Sequence, residues 1–165
     1  MQRLIALCLL LAGCGTGTGV GDNTAAPAAE GDRAVKAAVQ TASLTGLYEG
    51  GAAEPRSQLC ILDRGSGDSR FGLVVWGRSQ ASCSGAGSAV RQASALRLTM
   101  EGDEPCLVEA AIEGSRVTFP ASLPAGCAYY CGAGASIAGA AFEKVGGTAA
   151  DAARARDLVG DPLCG

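Results

Sequence analysis

The chain has 165 residues, enough for one modest domain, and only 4% of them are aromatic whereas 25 are glycine. Large core-forming side chains are therefore scarce, so a compact domain would gain from cross-links, which the eight cysteines can supply. The net charge of −3 argues against nucleic acid or anionic lipid headgroups as partners, because both bind basic surfaces.

The N-terminus has the layout of an export signal. Arg3 precedes an apolar run over residues 4–11, which is too short to span a bilayer because spanning takes about 20 residues. The run leads into the motif Leu11-Ala12-Gly13-Cys14. This motif resembles the lipobox of bacterial lipoproteins, in which the cysteine thiol receives a diacylglyceryl group and a peptidase cuts just before it. The alternative is an ordinary signal peptide whose apolar segment happens to end near a cysteine.

The resemblance implies a division of the chain into three parts. Residues 1–13 would be the signal peptide, residues 14–43 the lipidated Cys14 with a flexible tether, and residues 44–165 the folded domain. The lipid bilayer is then a partner through the acyl chains on Cys14, which anchor lastingly when two or more are present. Gly15 follows the cysteine, as in lipoproteins sent to the outer membrane, so we expect a location in the cell envelope, facing the periplasm.

The tether region is poor in side chains that can be buried. Residues 15–31 are dominated by glycine, threonine and alanine, a composition typical of a flexible spacer. Residues 32–43 contain good helix formers behind Asp32, so one short helix is possible there.

Six cysteines remain once Cys8 leaves with the signal peptide and Cys14 carries lipid. An even number in an oxidising compartment predicts disulfides, although the sequence does not choose among the pairings. The pairing that we expect is Cys60–Cys83, Cys106–Cys127 and Cys131–Cys164. A zinc site is the alternative for Cys127 and Cys131, which have three residues between them. No second matched pair and no histidine accompany these two cysteines, so we expect no metal and no cofactor.

The middle of the chain reads as short β-strands. Strands are predicted over residues 44–50, 57–62 and 71–77, the third apolar on both faces and therefore central. Residues 79–89 are predicted as a loop. Strict alternation then predicts strands over 96–101, 106–112 and 117–119, separated by tight turns. The predicted fold is mainly β, a small antiparallel barrel or sandwich of about six strands with disulfide cross-links.

The C-terminal region predicts a short helix. Thr148 is an N-cap candidate, and Asp151 stands at the position where an acid favours a helix start. Residues 152–158 can continue the helix, and Gly160 with Asp161-Pro162 ends it.

The chain has few groups for catalysis. Without histidine there is neither a common general base nor a Ser-His-Asp triad, and only Lys36 and Lys144 could serve a Ser-Lys pair. Carboxylate pairs exist, but they are predicted in a turn or on the solvent face of one strand (Asp103 with Glu104, Glu109 with Glu113). We therefore expect a protein that is not an enzyme.

Tyr129 and Tyr130 are the candidate binding residues, because they lie between two cysteines and near glycines. Tyrosine gives a large contact area at a low entropic cost. The alternative, which the sequence favours, is that one ring fills the core and the other covers a disulfide. Arginines border the central strands and could meet an acidic partner, although solvated charges are the simpler interpretation (Arg64, Arg70, Arg78).

Three functions compete on these observations. The leading expectation is a membrane-anchored binding module that binds an envelope or secreted protein. The first alternative is an inhibitor of lysozyme or of a secreted protease, because the spacing of residues 44–98 resembles the bacterial metalloprotease-inhibitor barrels, although the extra cysteines and the helical tail depart from them. The second alternative is a structural or assembly lipoprotein of the envelope.

Overall fold

The computed structural model describes residues 43–52, 54–65 and 69–164. The expected signal peptide, Cys14, the tether and the helix over 32–43 lie outside these ranges, apart from Ser43. In the described part of the chain, no helix is long and apolar enough to cross a membrane.

Eight antiparallel strands form a closed barrel, in which each strand pairs with its chain neighbours and β1 also pairs with β8. The predicted mainly β, antiparallel fold is confirmed. The architecture is a barrel rather than a sandwich, and it has more strands than the predicted number of about six. The strands are β1 (Gly46–Gly50), β2 (Ser57–Asp63), β3 (Ser69–Trp76), β4 (Ser82–Gln92), β5 (Ala95–Met100), β6 (Leu107–Glu113), β7 (Arg116–Thr118) and β8 (Ala141–Gly146).

Alternate side chains fill the barrel interior, because successive residues of a strand face opposite sides. The rings of Phe71, Phe119 and Phe142 are almost fully buried, and the last two have centroids 5.6 Å apart. Leu96 and Leu98 show the predicted alternation, since both are fully buried whereas Arg97 and Thr99 are exposed. The interior is thus a packed core, as expected for a barrel of this strand number.

The prediction of a loop over residues 79–89 is wrong from residue 82 onward, because β4 is an 11-residue strand. Its serine, glycine and alanine residues lack the bulky or branched side chains by which a strand is recognised. Small residues fit here for a packing reason: a Cβ on Gly85 would lie 2.8 Å from Sδ of Met100. The sequence prediction also missed β8, in which Phe142 is the only buried residue.

The predicted helix start at Thr148 is confirmed. The Thr148 hydroxyl accepts a hydrogen bond from the Asp151 backbone N–H at 3.1 Å, and the Asp151 carboxylate accepts one from the Thr148 N–H at 3.0 Å. This reciprocal pair is a capping box, which satisfies two N–H groups at the helix start. The helix, α1 (Ala149–Ala152), is only one turn long, so its predicted continuation to Leu158 is wrong.

Residues 148–164, named the C-terminal strap from here on, lie against the outer face of β1, β2 and β3. Ala155 is fully buried beside Cys60, whose side chain points out of the barrel. Leu163 approaches β3 so closely that a Cβ on Gly72 would lie 2.8 Å from Leu163 Cγ. This covering explains why β3 is apolar on both faces. It also explains the short helix, because the chain must turn back for the Leu163 N–H to donate to the Ala155 carbonyl at 3.0 Å.

Three disulfides cross-link the domain, and only one of the expected pairs is among them. Cys106–Cys127 is confirmed, whereas the other two expected pairs are wrong. Cys60 points outward from β2 and Cys83 inward from β4, with β3 between them, so these two thiols cannot meet. The bonds in the structure are Cys60–Cys164, Cys83–Cys131 and Cys106–Cys127.

Candidate binding face around Tyr129 and Tyr130

The two tyrosines belong to a short 3-10 segment that is cross-linked on both sides. The segment spans Ala125–Tyr130, and its Cys127 is bonded to Cys106, which lies just before β6. The next residue, Cys131, is bonded to β4. Residues 125–131 are named the tyrosine segment from here on. Because both flanks are covalently attached to the barrel, the main chain that carries the tyrosines is pre-organised.

The rings of Tyr129 and Tyr130 meet edge to face, with centroids 5.3 Å apart and planes at 83°. The Tyr130 hydroxyl donates to the Glu104 carbonyl at 2.7 Å, which holds this ring against the β5–β6 turn. The Tyr130 ring lies so close to Gly102 that a Cβ there would lie 2.7 Å from the hydroxyl oxygen. The Tyr129 hydroxyl reaches the Asp103 carboxylate at 3.4 Å, so that ring is held more weakly.

The two tyrosines differ in burial, which bears on the alternatives that the sequence left open. Tyr129 is 59% exposed, so its ring does not fill the core. Tyr130 is half-buried and packs against the main core. The structure thus places one ring against the core, in partial agreement with the interpretation that the sequence favours, and leaves the other ring exposed. The pair presents one exposed ring braced by a second ring.

A shallow groove of about 440 Å³ lies beside the tyrosines, and the strap forms its far wall. Tyr129 and Tyr130 lie on one side, and Leu158 of the strap, which is 46% exposed, lies on the other. The neighbouring Val159 is 82% exposed. We name the four residues Tyr129, Tyr130, Leu158 and Val159 the tyrosine–leucine face.

Leu158 and Val159 were not among the predicted binding residues, because residues 152–158 were predicted to continue a helix. In the structure they occupy the tip of a tight loop. The Asp157 carboxylate accepts hydrogen bonds from the Val159 N–H at 2.9 Å and the Asp161 N–H at 2.8 Å. Aspartate commonly closes turns in this way, and Gly160 allows the required positive φ of 95°. The spacing of aspartate and glycine was therefore the available signal for an exposed loop.

The border of the face is acidic. Partial desolvation raises the pKa of the Tyr130 phenol, and the neighbouring Tyr129, Asp103 and Glu104 raise it further. Both carboxylates lie in the exposed turn between β5 and β6. The phenol of Tyr130 is thus neutral and able to donate a hydrogen bond at physiological pH, next to a negative rim.

The arginines considered in the sequence do not join this face. Arg70 lies 3.8 Å from Glu101 in an exposed ion pair, a type of contact that contributes little stability. Arg64 lines the same shallow hollow as Arg70, and Arg78 is exposed in the β3–β4 connection. The sequence interpretation of solvated charges agrees with these positions.

The groups considered for catalysis are dispersed. Lys144 donates to the Ser43 carbonyl at 2.8 Å and lies over the Tyr48 ring, and desolvation followed by the nearby Arg91 charge lowers its pKa. Glu109 and Glu113 lie exposed along β6, as expected for a solvent face. Among the described residues, no group of three or more metal-ligating side chains is placed to hold an ion.

Together these features define a small, disulfide-cross-linked antiparallel barrel with a pre-organised aromatic and aliphatic surface on one side. Comparison of the chain with family models, with curated proteins and with solved structures gave no match.

Proposed function

We propose that this chain is an envelope-anchored lipoprotein whose barrel acts as a non-enzymatic module that binds a protein through the tyrosine–leucine face. The observation that carries the proposal is the clustering of exposed apolar groups. Within the described ranges, two of the four strongly exposed large hydrophobic side chains line the groove, Tyr129 and Leu158, and a third, Val159, follows Leu158 at the tip of the same loop. Exposed apolar clusters with polar borders are typical of protein interaction sites.

Rigidity supports the same function. Binding is weakened by the entropy lost when flexible side chains and loops become ordered. Here two disulfides hold the tyrosine segment, and the Asp157 hydrogen bonds hold the loop that carries Leu158. Tyrosine is one of the residue types enriched among the energetically dominant contacts of interfaces.

The acidic border favours a partner with basic residues around an apolar centre. Asp103 lies beside the Tyr129 hydroxyl, and Glu104 lies beside Tyr130. Complementary charges at the rim of an interface mainly speed association and select among partners. We therefore expect association with this protein to slow as salt is added.

The membrane anchor is the first part of the proposal to test. Replacement of Cys14 by serine removes the thiol that would carry lipid, so the variant should move from the membrane fraction to the soluble fraction. Cys8→Ser is the matched control, because Cys8 would leave with the signal peptide. A Cys14→Ser variant that stays in the membrane would contradict the lipoprotein proposal.

Partner capture tests the binding function. The full chain is immobilised from detergent and exposed to envelope extract, to lysozyme and to secreted proteases, and retained proteins are identified by mass spectrometry. We expect one saturable partner that is lost with Tyr129→Ser. Val145→Ser is the control, because Val145 is 51% exposed on β8 and does not line the groove. Capture that is equal for both variants, or no partner at all, would favour a structural lipoprotein instead.

A second candidate function is inhibition of a lysozyme or a secreted protease. The favouring observation is the protruding Leu158–Val159 tip, whose backbone is closed by Asp157 and could fill an enzyme's cleft. Inhibition should then be measurable with purified enzymes and should be lost with Val159→Asp but kept with Val145→Asp. Binding without any effect on activity would favour the simple binding module.

A further inference from the structure

A second groove lies beside the C-terminal strap. Its floor consists of outward side chains from three neighbouring strands, Glu49 of β1, Gln58 of β2 and Trp76 of β3. Arg156 and Asp157 of the strap form its wall, and the cavity measures about 370 Å³. The groove therefore lies between the strap and the outer face of the barrel.

Hydrogen bonds hold the parts of this groove in place. The Gln58 side-chain oxygen accepts from the Arg156 backbone N–H at 3.0 Å, which fixes the strap to β2. The Arg156 guanidinium donates to the Ala153 carbonyl at 2.7 Å, so its orientation is also set. The backbone N–H of Trp76 donates to the Ser57 hydroxyl at 3.0 Å, which keeps the end of β3 next to β2.

Trp76 is the central feature of the groove. It is half-buried, and it lines both the groove and a second hollow of about 210 Å³ next to it. The two hollows also share Glu54 and Pro55. A flat indole between two adjoining hollows offers an apolar platform for a ligand that extends into both.

The charges around the indole are mixed and nearly balanced. The groove is lined by the acidic residues Glu49, Glu54 and Asp157 and by the basic residues Arg56 and Arg156, and the Arg56–Glu54 pair is already bonded at 3.1 Å. A strongly anionic ligand would meet the carboxylates, and a strongly cationic ligand would meet the arginines. A neutral ligand with many hydroxyl groups can instead use both donors and acceptors.

We propose that this groove, named the Trp76 groove, binds a short neutral saccharide. A pyranose ring has one face of C–H groups that packs on an aromatic ring and an edge of hydroxyls that exchange hydrogen bonds with carboxylate, amide and guanidinium groups. The Trp76 groove supplies that combination of a flat aromatic ring with surrounding donors and acceptors. The Trp76 groove shares no lining residue with the groove beside the tyrosines, so it adds a second ligand class to the proposed binding function.

The chain offers a direct reporter for the test, because Trp76 is its only tryptophan. The full chain is kept in a detergent without a sugar headgroup and titrated with cellobiose, maltose and N,N′-diacetylchitobiose while tryptophan emission is recorded. At least one disaccharide should shift the emission saturably to the blue, because a stacked sugar removes water from the indole. A triarginine and a triglutamate peptide are the charged comparison probes.

Glu49→Gln keeps the size of the side chain but removes its charge, and it should lower the affinity about tenfold, the effect of losing a hydrogen bond to a charged group. Glu109→Gln, an equal change on the exposed face of β6, should leave the affinity within about twofold. In calorimetry, Trp76→Phe should retain binding and Trp76→Leu should lose it. The proposal is overturned if none of the disaccharides gives a saturable shift, if Glu49→Gln binds as the original chain does, or if a charged peptide gives the larger response.

Discussion

The tyrosine segment packs against the main core, whereas the C-terminal strap packs on the outer face of the barrel, and the two are attached in different ways. Two disulfides hold the tyrosine segment, with sequence separations of 48 and 21 residues, and Tyr130 packs against the edge of the main core. One disulfide with a separation of 104 residues holds the strap, over a small apolar cluster that includes Ala152 and Ala155. The strap therefore depends more heavily on its single covalent bond.

This difference matters because the proposed tyrosine–leucine face takes residues from both regions. Tyr129 and Tyr130 are carried by the doubly cross-linked segment, whereas Leu158 and Val159 are carried by the strap. A rigid half and a less firmly attached half meet across one groove. Changes in the strap should consequently alter the face without disturbing the tyrosines themselves.

Removal of the strap disulfide should have the largest effect on stability. A cross-link that closes a loop of this length limits the unfolded chain strongly, so Cys60→Ala with Cys164→Ala should lower the free energy of unfolding by about 4 to 5 kcal/mol. The measurement is denaturant unfolding of the full chain under non-reducing conditions. Limited proteolysis should also cut the variant first within residues 148–164.

Removal of Cys106–Cys127 should have a smaller effect, about 3 kcal/mol, because this bond closes a loop of 21 residues in sequence separation. The other disulfide of the tyrosine segment, Cys83–Cys131, still attaches the segment to β4. Backbone amides around Tyr129 should exchange hydrogen faster, whereas those of the strap should be unchanged. Equal loss of protection in the strap would contradict the separate attachment of the two regions.

The sequence predicted the parts of this fold in which local pattern and burial agree. Leu96 and Leu98 alternate with exposed residues because one face of β5 is buried in the core and the other is exposed to solvent. β4 could not be predicted from its small residues, because their size is set by close contacts with Met100 and the next strand and not by local strand preference. The pairing of Cys60 with Cys164 was equally hidden, since it depends on a strap that returns from the far end of the chain.

The candidate face was predictable in the same uneven way. Tyr129 and Tyr130 stood out because two cysteines flank them in the sequence. Leu158 did not, because the alanine-rich region before it favours a helix by local propensity. Tertiary contacts override that propensity, because Ala155 is fully buried and its carbonyl accepts a hydrogen bond from the Leu163 N–H.

The capping box of the strap gives a smaller test. Thr148→Ala removes the hydroxyl that accepts from the Asp151 N–H, and a lost cap of this kind costs about 1 kcal/mol. Ser122→Ala, in the exposed β7–β8 connection, is the control and should stay within about 0.5 kcal/mol of the original chain. A Thr148→Ala variant as stable as this control would mean that the strap's disulfide and apolar contacts alone determine its position.

The smallest expected effect is a dependence on acid. Hydrogen bonds from the Thr148 side chain and backbone hold the pKa of the Asp151 carboxyl below its ordinary value of 3.8. A lowered folded pKa contributes stability that is present above that ordinary value and is lost as the pH falls through the folded pKa. The difference in unfolding free energy between the original chain and Asp151→Asn should therefore shrink as the pH falls below 3.8. A difference that stays constant across that range would show that the carboxylate does not hold the strap.

The most direct test of the proposed protein-binding face is to measure how tightly the captured partner binds a variant that is changed in the strap alone. Leu158→Ser leaves both tyrosines in place and alters the opposite wall of the groove. We predict that Leu158→Ser lowers the affinity for the immobilised partner at least tenfold, the loss expected for an interface contact worth about 1.4 kcal/mol. The affinity of Val145→Ser should stay within about twofold of that of the original chain. Equal affinities for the two variants would contradict a face shared by the tyrosine segment and the strap.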